Sequence, residues 1–248
     1  MATALDGLPA AGELPELANV HWRRRVDEAS LRRADRAWTL SIAAHEVPFL
    51  VTAVALPLLA PVLAVVSVFA LGFAWAIPAL YAARGAGVLR PQRRRAQIDA
   101  GAETRALGFL GDLVGHDVRE LVTRTGLAVE RGTFGVWVVG PAGALLVRPG
   151  ARRVQCHCVR VTDAGLPAAD RVAHLLLALR ADESGFATVA NLTWSGACWR
   201  LRRHLSREAR EGLAAGVAMA RGAAGGWGVR GGPSRTRDES YGCSATTR

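Results

Sequence analysis

The chain has 248 residues and no lysine; all 31 of its basic residues are arginine. This removes the phosphate-gripping lysine of a P-loop, a Schiff-base lysine and the lysine of a Glu-x-Lys nuclease centre, which sets those classes aside. With the heavy use of Ala, Gly and Val, it marks a GC-rich bacterial genome. Cysteine is also scarce. Cys156, Cys158, Cys198 and Cys243 are too few for the disulfide framework of a small secreted domain. The opening "MATALDGLPAAGELPEL" places acids before any arginine and lacks an apolar stretch, so it does not read as a cleaved signal peptide. Residues 1–19 are expected to be a disordered tail.

The most informative absence is that of charge. From Val47 to Ala83 there are 37 residues without a charged side chain, and Thr52 and Ser67 carry the only hydroxyls before Tyr81. A soluble core helix of that length and uniformity would have no polar face to show to water, which argues against that reading. One span needs about 20 residues and two need about 40, so the length points to a tight transmembrane hairpin over 47–83. Pro57 and Pro61 would break helix continuity at its turn. The half before Pro61 is short unless its helix begins upstream, carrying His45 and Glu46 near the inner interface. A re-entrant first half with one full span is the alternative.

Arginines flank the run on both sides: Arg23, Arg24, Arg25, Arg32, Arg33 and Arg36 before it, Arg84, Arg90, Arg93, Arg94 and Arg95 after it. The positive-inside rule puts both clusters in the cytoplasm, which requires an even number of crossings. The expected location is therefore the cell membrane, multi-pass with two spans, and both termini cytoplasmic. Within 20–46, Trp22, Val26, Ala29, Ala37, Trp38 and Ile42 fall close to helical spacing. A basic helix with this face either lies at the lipid–water interface or packs on the downstream domain.

After a basic connector over 84–106 the pattern becomes that of an α+β domain spanning 107–221. Leu110, Leu113, Val114, Val118, Leu121 and Val122 predict one amphipathic helix, ended by Gly126. "GLAVERG", "FGVWVVG", "ALLVRPG" and "RRVQCHCVRVTD" predict an antiparallel meander with a turn at Pro141–Gly143. A helix starting near Pro167 carries Val172, Leu175, Leu176 and Leu179 on one side. "FATVANLTW" and "ACWRLRR" are expected as further strands, and Ser206 as the cap of a last helix. Residues 222–248, rich in Gly and Arg, are expected to be disordered. The fold class is thus membrane-anchored α+β: an N-terminal interfacial helix, a transmembrane helical hairpin, and a small domain with an antiparallel sheet and about three helices.

Three groups of residues are candidate sites. Asp112, His116 and Glu120 recur every fourth residue and would share a helical face able to hold a metal or a proton; a solvated face gives the same pattern. Cys156 and Cys158 point to one side of a strand, with Cys198 and His204 available to complete a zinc site. Buried, inert thiols are the competing explanation. Arg200, Arg202 and Arg203, in "WRLRRHLSREAR", join Arg93, Arg94 and Arg95 as contacts for anionic lipid; nucleic-acid phosphate is the less supported partner. "FGVWVVGPAGALLVRPG" resembles the strand–turn–strand of nuclease-related domains over less than a tenth of the chain. Leu146-Val147-Arg148 stands where those domains place Glu-x-Lys, which argues against nuclease activity.

The expected function is a non-catalytic, membrane-anchored cytoplasmic domain that binds a membrane or cytoplasmic protein partner. The alternative is a membrane-bound metal-dependent enzyme using one of the two ligand sets. A transport role is disfavoured, because the apolar run carries no ionisable residue.

Overall fold

The computed structural model describes residues 14–90, 100–114, 116–159 and 165–222. Of the tails expected over 1–19 and 222–248, residues 1–13 and 223–248 lie outside the described residues, as do Arg93, Arg94 and Arg95; the end of the expected N-terminal tail is instead ordered, as a 3₁₀ helix over Pro15–Val20.

Helix α1 (Glu28–Leu59) starts at a capping box. The Asp27 carboxylate accepts the Ser30 N–H at 2.7 Å, and the Ser30 hydroxyl accepts the Asp27 N–H at 2.9 Å. The helix runs 32 residues, through Pro48 and Pro57. It ends where Pro61 disfavours helical backbone at Ala60, which is extended (φ −155°, ψ 125°). A 3₁₀ turn at Pro61–Leu63 leads into α2 (Ala64–Gly85), which returns along α1. Phe49 stacks on Phe73 with ring centroids 5.8 Å apart, so the two helices run level. Both are long and apolar enough to cross a membrane; only 11% and 17% of their most apolar windows are buried, where a core helix would be mostly buried.

Two expectations for this region are corrected. Pro57 lies within the helix, and the break comes at Ala60–Pro61. The segment 20–46 is not a separate interfacial helix: from Glu28 it is the first half of α1, and it packs on the sheet domain. Ion pairs decide that placement. Arg148 donates to the Glu28 carboxylate, and Arg153 Nε lies 2.6 Å from Asp35 Oδ2. Ser195 also donates to Asp35, and Gln155 Nε2 donates to the Leu31 carbonyl at 2.9 Å. Just upstream, Arg25 pairs with Asp182 at 2.6 Å and Val26 N–H donates to the Thr188 hydroxyl at 2.8 Å.

The domain is a five-stranded antiparallel sheet with neighbours in chain order: β1 (Ala128–Arg131), β2 (Val136–Gly140), β3 (Gly143–Val147), β4 (Arg153–Cys158) and β5 (Asn191–Ala197). The expected meander is this sheet, and Pro141–Ala142 form the β2–β3 turn. Every residue of β2 and β3 is buried, because helices cover both faces of the sheet. On one face Val136, Val138, Leu145, Val154, Cys156 and Trp194 pack with the base of the hairpin and with α8 (Arg207–Gly222). On the other, Trp137, Val139, Ala144 and Leu146 pack with α3 (Ala100–Leu113), α4 (His116–Thr125) and α5 (Ala168–Ala181). Val172, Leu175, Leu176 and Leu179 are buried as their spacing predicts. Gly126 closes α4 with φ +66° and its N–H on the Val122 carbonyl at 2.7 Å. Ser206 accepts the Ala209 N–H at the start of α8.

Other expectations fail locally. The single helix through Leu110 and Val122 is two helices: α3 ends at Leu113 and α4 begins at His116. "FATV" is helical, in α6 (Glu183–Val189), because Asp182 caps it by accepting the Gly185 N–H at 2.8 Å. Its β-branched residues read as strand, but capping and the burial of Phe186 outweigh that weak preference. Cys198–Arg202 forms a short helix, α7, and not a strand.

The hairpin is set on the sheet by a close approach at Gly85. A Cβ there would stand 2.8 Å from Trp194 Cβ and 3.1 Å from Cys156 Sγ. Gly85→Val is therefore expected to cost about 1–3 kcal/mol by overpacking. Thermal unfolding of the detergent-solubilised chain measures this, with Gly87→Ala as control; an added Cβ at Gly87 meets nothing within 4 Å.

Candidate functional site

The surface that sequence and structure both single out lies where the hairpin leaves the domain. Leu201 and Leu205 are buried in the core, which turns Trp199, Arg200 and Arg203 of the same helical segment outward against α1 and α2. Arg203 lies over the Trp199 ring with Cζ 4.8 Å from the centroid, and Arg200 Cζ lies 5.4 Å from it. Arg200 also reaches Glu46 of α1 at 3.5 Å. Arg90, just beyond α2, donates to the His204 carbonyl at 2.7 Å and ties the base of the hairpin to this corner.

Between these groups runs a groove of about 480 Å³. Leu50, Leu71, Ala74, Trp75 and Pro78 form its apolar wall, and Trp199, Arg200, Arg203 and His204 its polar mouth. A shallower depression beside it is lined by Trp199, Arg202, Arg203 and Arg210. Arg202 and Arg203 have no carboxylate partner among the described residues. Arg203 at the mouth of the apolar groove, with Arg202 in the depression beside it, can take an anion whose remainder is hydrocarbon.

The other candidates are not brought together. Cys156 is fully buried against the base of α2, and burial pushes its thiol well above the ordinary range. Cys198 is half-buried; desolvation raises its thiol, partly offset by Arg202 and Arg221. Cys158 is half-buried at the other end of the sheet register, opposite Gly143 and Asn191. Among the described residues no group of three or more His, Cys, Asp and Glu side chains is placed to hold a metal ion. Cys156, Cys158, Cys198 and His204 therefore form no assembled zinc site.

The polar face of Asp112, His116 and Glu120 is broken by the helix boundary, which takes Asp112 off the register of the other two. Asp112 pairs with Arg119 at 3.1 Å and Glu120 lies 3.9 Å from Arg124, both exposed. The His116 side chain lies outside the described residues.

His157 faces away from the two thiols, as the strand period predicts, and packs 5.2 Å from Trp137. Both its ring nitrogens are buried without a hydrogen-bond partner among the described residues, and burial pushes its pKa down to about 4.

Sequence reasoning finds Arg200, Arg202 and Arg203, within a segment from Trp199 to Arg210, but does not join that segment to Glu46 and Trp75 of the hairpin. The density of Trp and Arg in "WRLRRHLSREAR" was the available signal; the groove needs α1 and α2 beside it. The chain matches no family model, no curated protein and no solved structure.

Proposed function

We propose that this chain is a non-catalytic membrane protein that works by binding. In this reading the α1–α2 hairpin is embedded in the bilayer, and the α+β domain sits on the cytoplasmic side to receive a membrane or cytoplasmic protein partner. The observation that carries the reading is the junction of two surfaces. The long exposed apolar flanks of the hairpin end at a collar of Trp75, Trp199, Arg200, Arg202 and Arg203. Tryptophan and arginine are the side chains suited to the headgroup layer, one for its amphipathic ring and the other for anionic lipid. Arginine on both sides of the apolar run supports cytoplasmic placement of both ends.

Membranes containing the full chain, washed with alkaline carbonate, are expected to retain it; recovery in the wash would overturn the reading. Distinct protease-cleavable tags at the two ends are both expected to be cut in inside-out vesicles. The collar has its own test. The chain extracted in mild detergent from mixed phosphatidylglycerol and phosphatidylcholine membranes is expected to carry phosphatidylglycerol in excess. Each of Arg202→Ala and Arg203→Ala should lower that excess about fivefold, the equivalent of about 1 kcal/mol per cation near the surface. Equal retention of both lipids by the unsubstituted chain would remove anionic lipid from the proposal. Crosslinking in native membranes tests the partner, and recovery of the chain alone would count against it.

A further inference from the structure

We propose that the hairpin enters the bilayer from one face and turns within the hydrocarbon, so that it anchors the domain as a re-entrant wedge and does not make two complete spans. This rests on the membrane-anchored reading above. Three independent features of the hairpin support it.

The first is reach. Glu46 is the last charged residue before the tip on α1, and it is held in the collar by Arg200. Ala60 lies fourteen positions further along, which is about 21 Å of helix. The stacking of Phe49 on Phe73 keeps α2 level with α1, so the second helix reaches no further. The hydrocarbon layer is about 30 Å thick, and any tilt shortens the reach. Bringing the tip to the far headgroups would draw Glu46, Arg200, Arg203 and His204 into hydrocarbon, which is costly for charged groups.

The second is the chemistry of the tip. No residue from Ala53 to Val66 has a polar side chain. Leu58, Leu59 and Val62 are 81%, 78% and 79% exposed, so the turn would present three large aliphatic side chains to water on the far side. A spanning segment carries Trp and Tyr at both interfaces. Here Trp75 lies at the collar, Trp38 and Tyr81 pack on the domain core beside it, and the tip halves of α1 and α2 hold no Trp or Tyr, so the far interface is unmarked.

The third is the backbone. A turn in hydrocarbon costs less the fewer N–H groups it leaves unoccupied. Pro57 and Pro61 have none. Ala60 N–H donates to the Leu56 carbonyl at 3.1 Å, Leu63 N–H to the Ala60 carbonyl at 2.9 Å, and Ala64 N–H to the Pro61 carbonyl. Pro61, which ends the first helix, and Pro57, within it near the tip, thus also remove donors there.

The test uses the full chain with Cys158, Cys198 and Cys243 changed to Ser, carrying either Val62→Cys at the tip or Arg202→Cys at the collar, in vesicles of one orientation. Arg202→Cys should react with a membrane-impermeant maleimide from one side, and Val62→Cys from neither. A fluorophore attached at Val62→Cys should be quenched by lipids brominated midway along their acyl chains. Reaction of Val62→Cys from the side opposite Arg202→Cys would overturn the wedge in favour of complete spans and leave membrane anchoring standing. Reaction of both from the same side would overturn the wedge and the anchoring together. No reaction from either side and no quenching by lipid would mean that protein, such as a second copy, covers the tip, which also overturns the proposal.

Leu59→Arg gives a second reading that does not depend on labelling, and Leu59 is exposed, so its replacement removes little packing. A turn within hydrocarbon predicts a membrane-to-soluble ratio lowered by about a hundred-fold, the factor that matches an arginine near the bilayer centre. An unchanged ratio would overturn the wedge.

Discussion

Replacing Glu183 by Ala is expected to lower the unfolding temperature of the detergent-solubilised chain by about 10 °C, from a loss of roughly 4 kcal/mol. Glu183 opens α6, yet its carboxylate serves the β1–β2 loop. It accepts the Thr133 N–H at 2.5 Å, the Phe134 N–H at 3.0 Å and the indole N–H of Trp137 at 2.6 Å. Trp137 is fully buried in the cluster between the sheet and α5, so its indole would have no water to replace the lost acceptor. Charge-assisted hydrogen bonds contribute about 1.5–3 kcal/mol each, and the three act as a unit, so their sum is an upper bound. Glu183→Gln keeps an acceptor oxygen and is expected to fall between the two. An unfolding temperature for Glu183→Ala within a degree or two of the unsubstituted chain would show that the loop is held by packing alone.

The second large effect is on pH dependence. His157 is buried as the neutral imidazole, with its pKa lowered to about 4 from an ordinary 6.5 because burial penalises the cation. The unfolded chain therefore binds a proton that the folded chain refuses between those two values. This contribution to stability is complete above about pH 6.5 and is lost as pH falls towards 4, by roughly 3 kcal/mol over the whole range. Thermal scans of the solubilised chain between pH 7.5 and 4.5 should show the decline. His157→Leu should flatten that part of the profile while keeping an apolar body against Trp137. An unchanged slope in His157→Leu would assign the acid sensitivity to other groups. The same burial, with Cys156 on the opposite face of β4, makes this strand a structural member of the core.

The elements legible in the sequence were those with a local cause. Charge is absent from Val47 to Ala83, and the two helices with a break at Pro61 follow from that and from proline chemistry. β2 and β3 were readable from their apolar residues and from the Pro141–Gly143 turn, and the ends of α4 and α8 from Gly126 and Ser206. Errors arose where local preference was weak. Phe186–Val189 joined a helix because Asp182 caps it, and Asp112 was separated from Glu120 by a helix break that an unbroken apolar pattern does not reveal.

By itself, then, the sequence determined an α+β chain with two long apolar helices, a meander and arginine on both sides of the apolar run. Only the tertiary structure decided that the first half of α1 belongs to the sheet domain and that Arg200 and Arg203 stand at the base of the hairpin. The reason is distance along the chain. The Glu28–Arg148, Asp35–Arg153 and Glu46–Arg200 pairs each join residues more than a hundred positions apart, and no periodicity connects such partners. They meet because the sheet buries both faces, brings β4 and β5 beside α1, and leaves α7 against the hairpin.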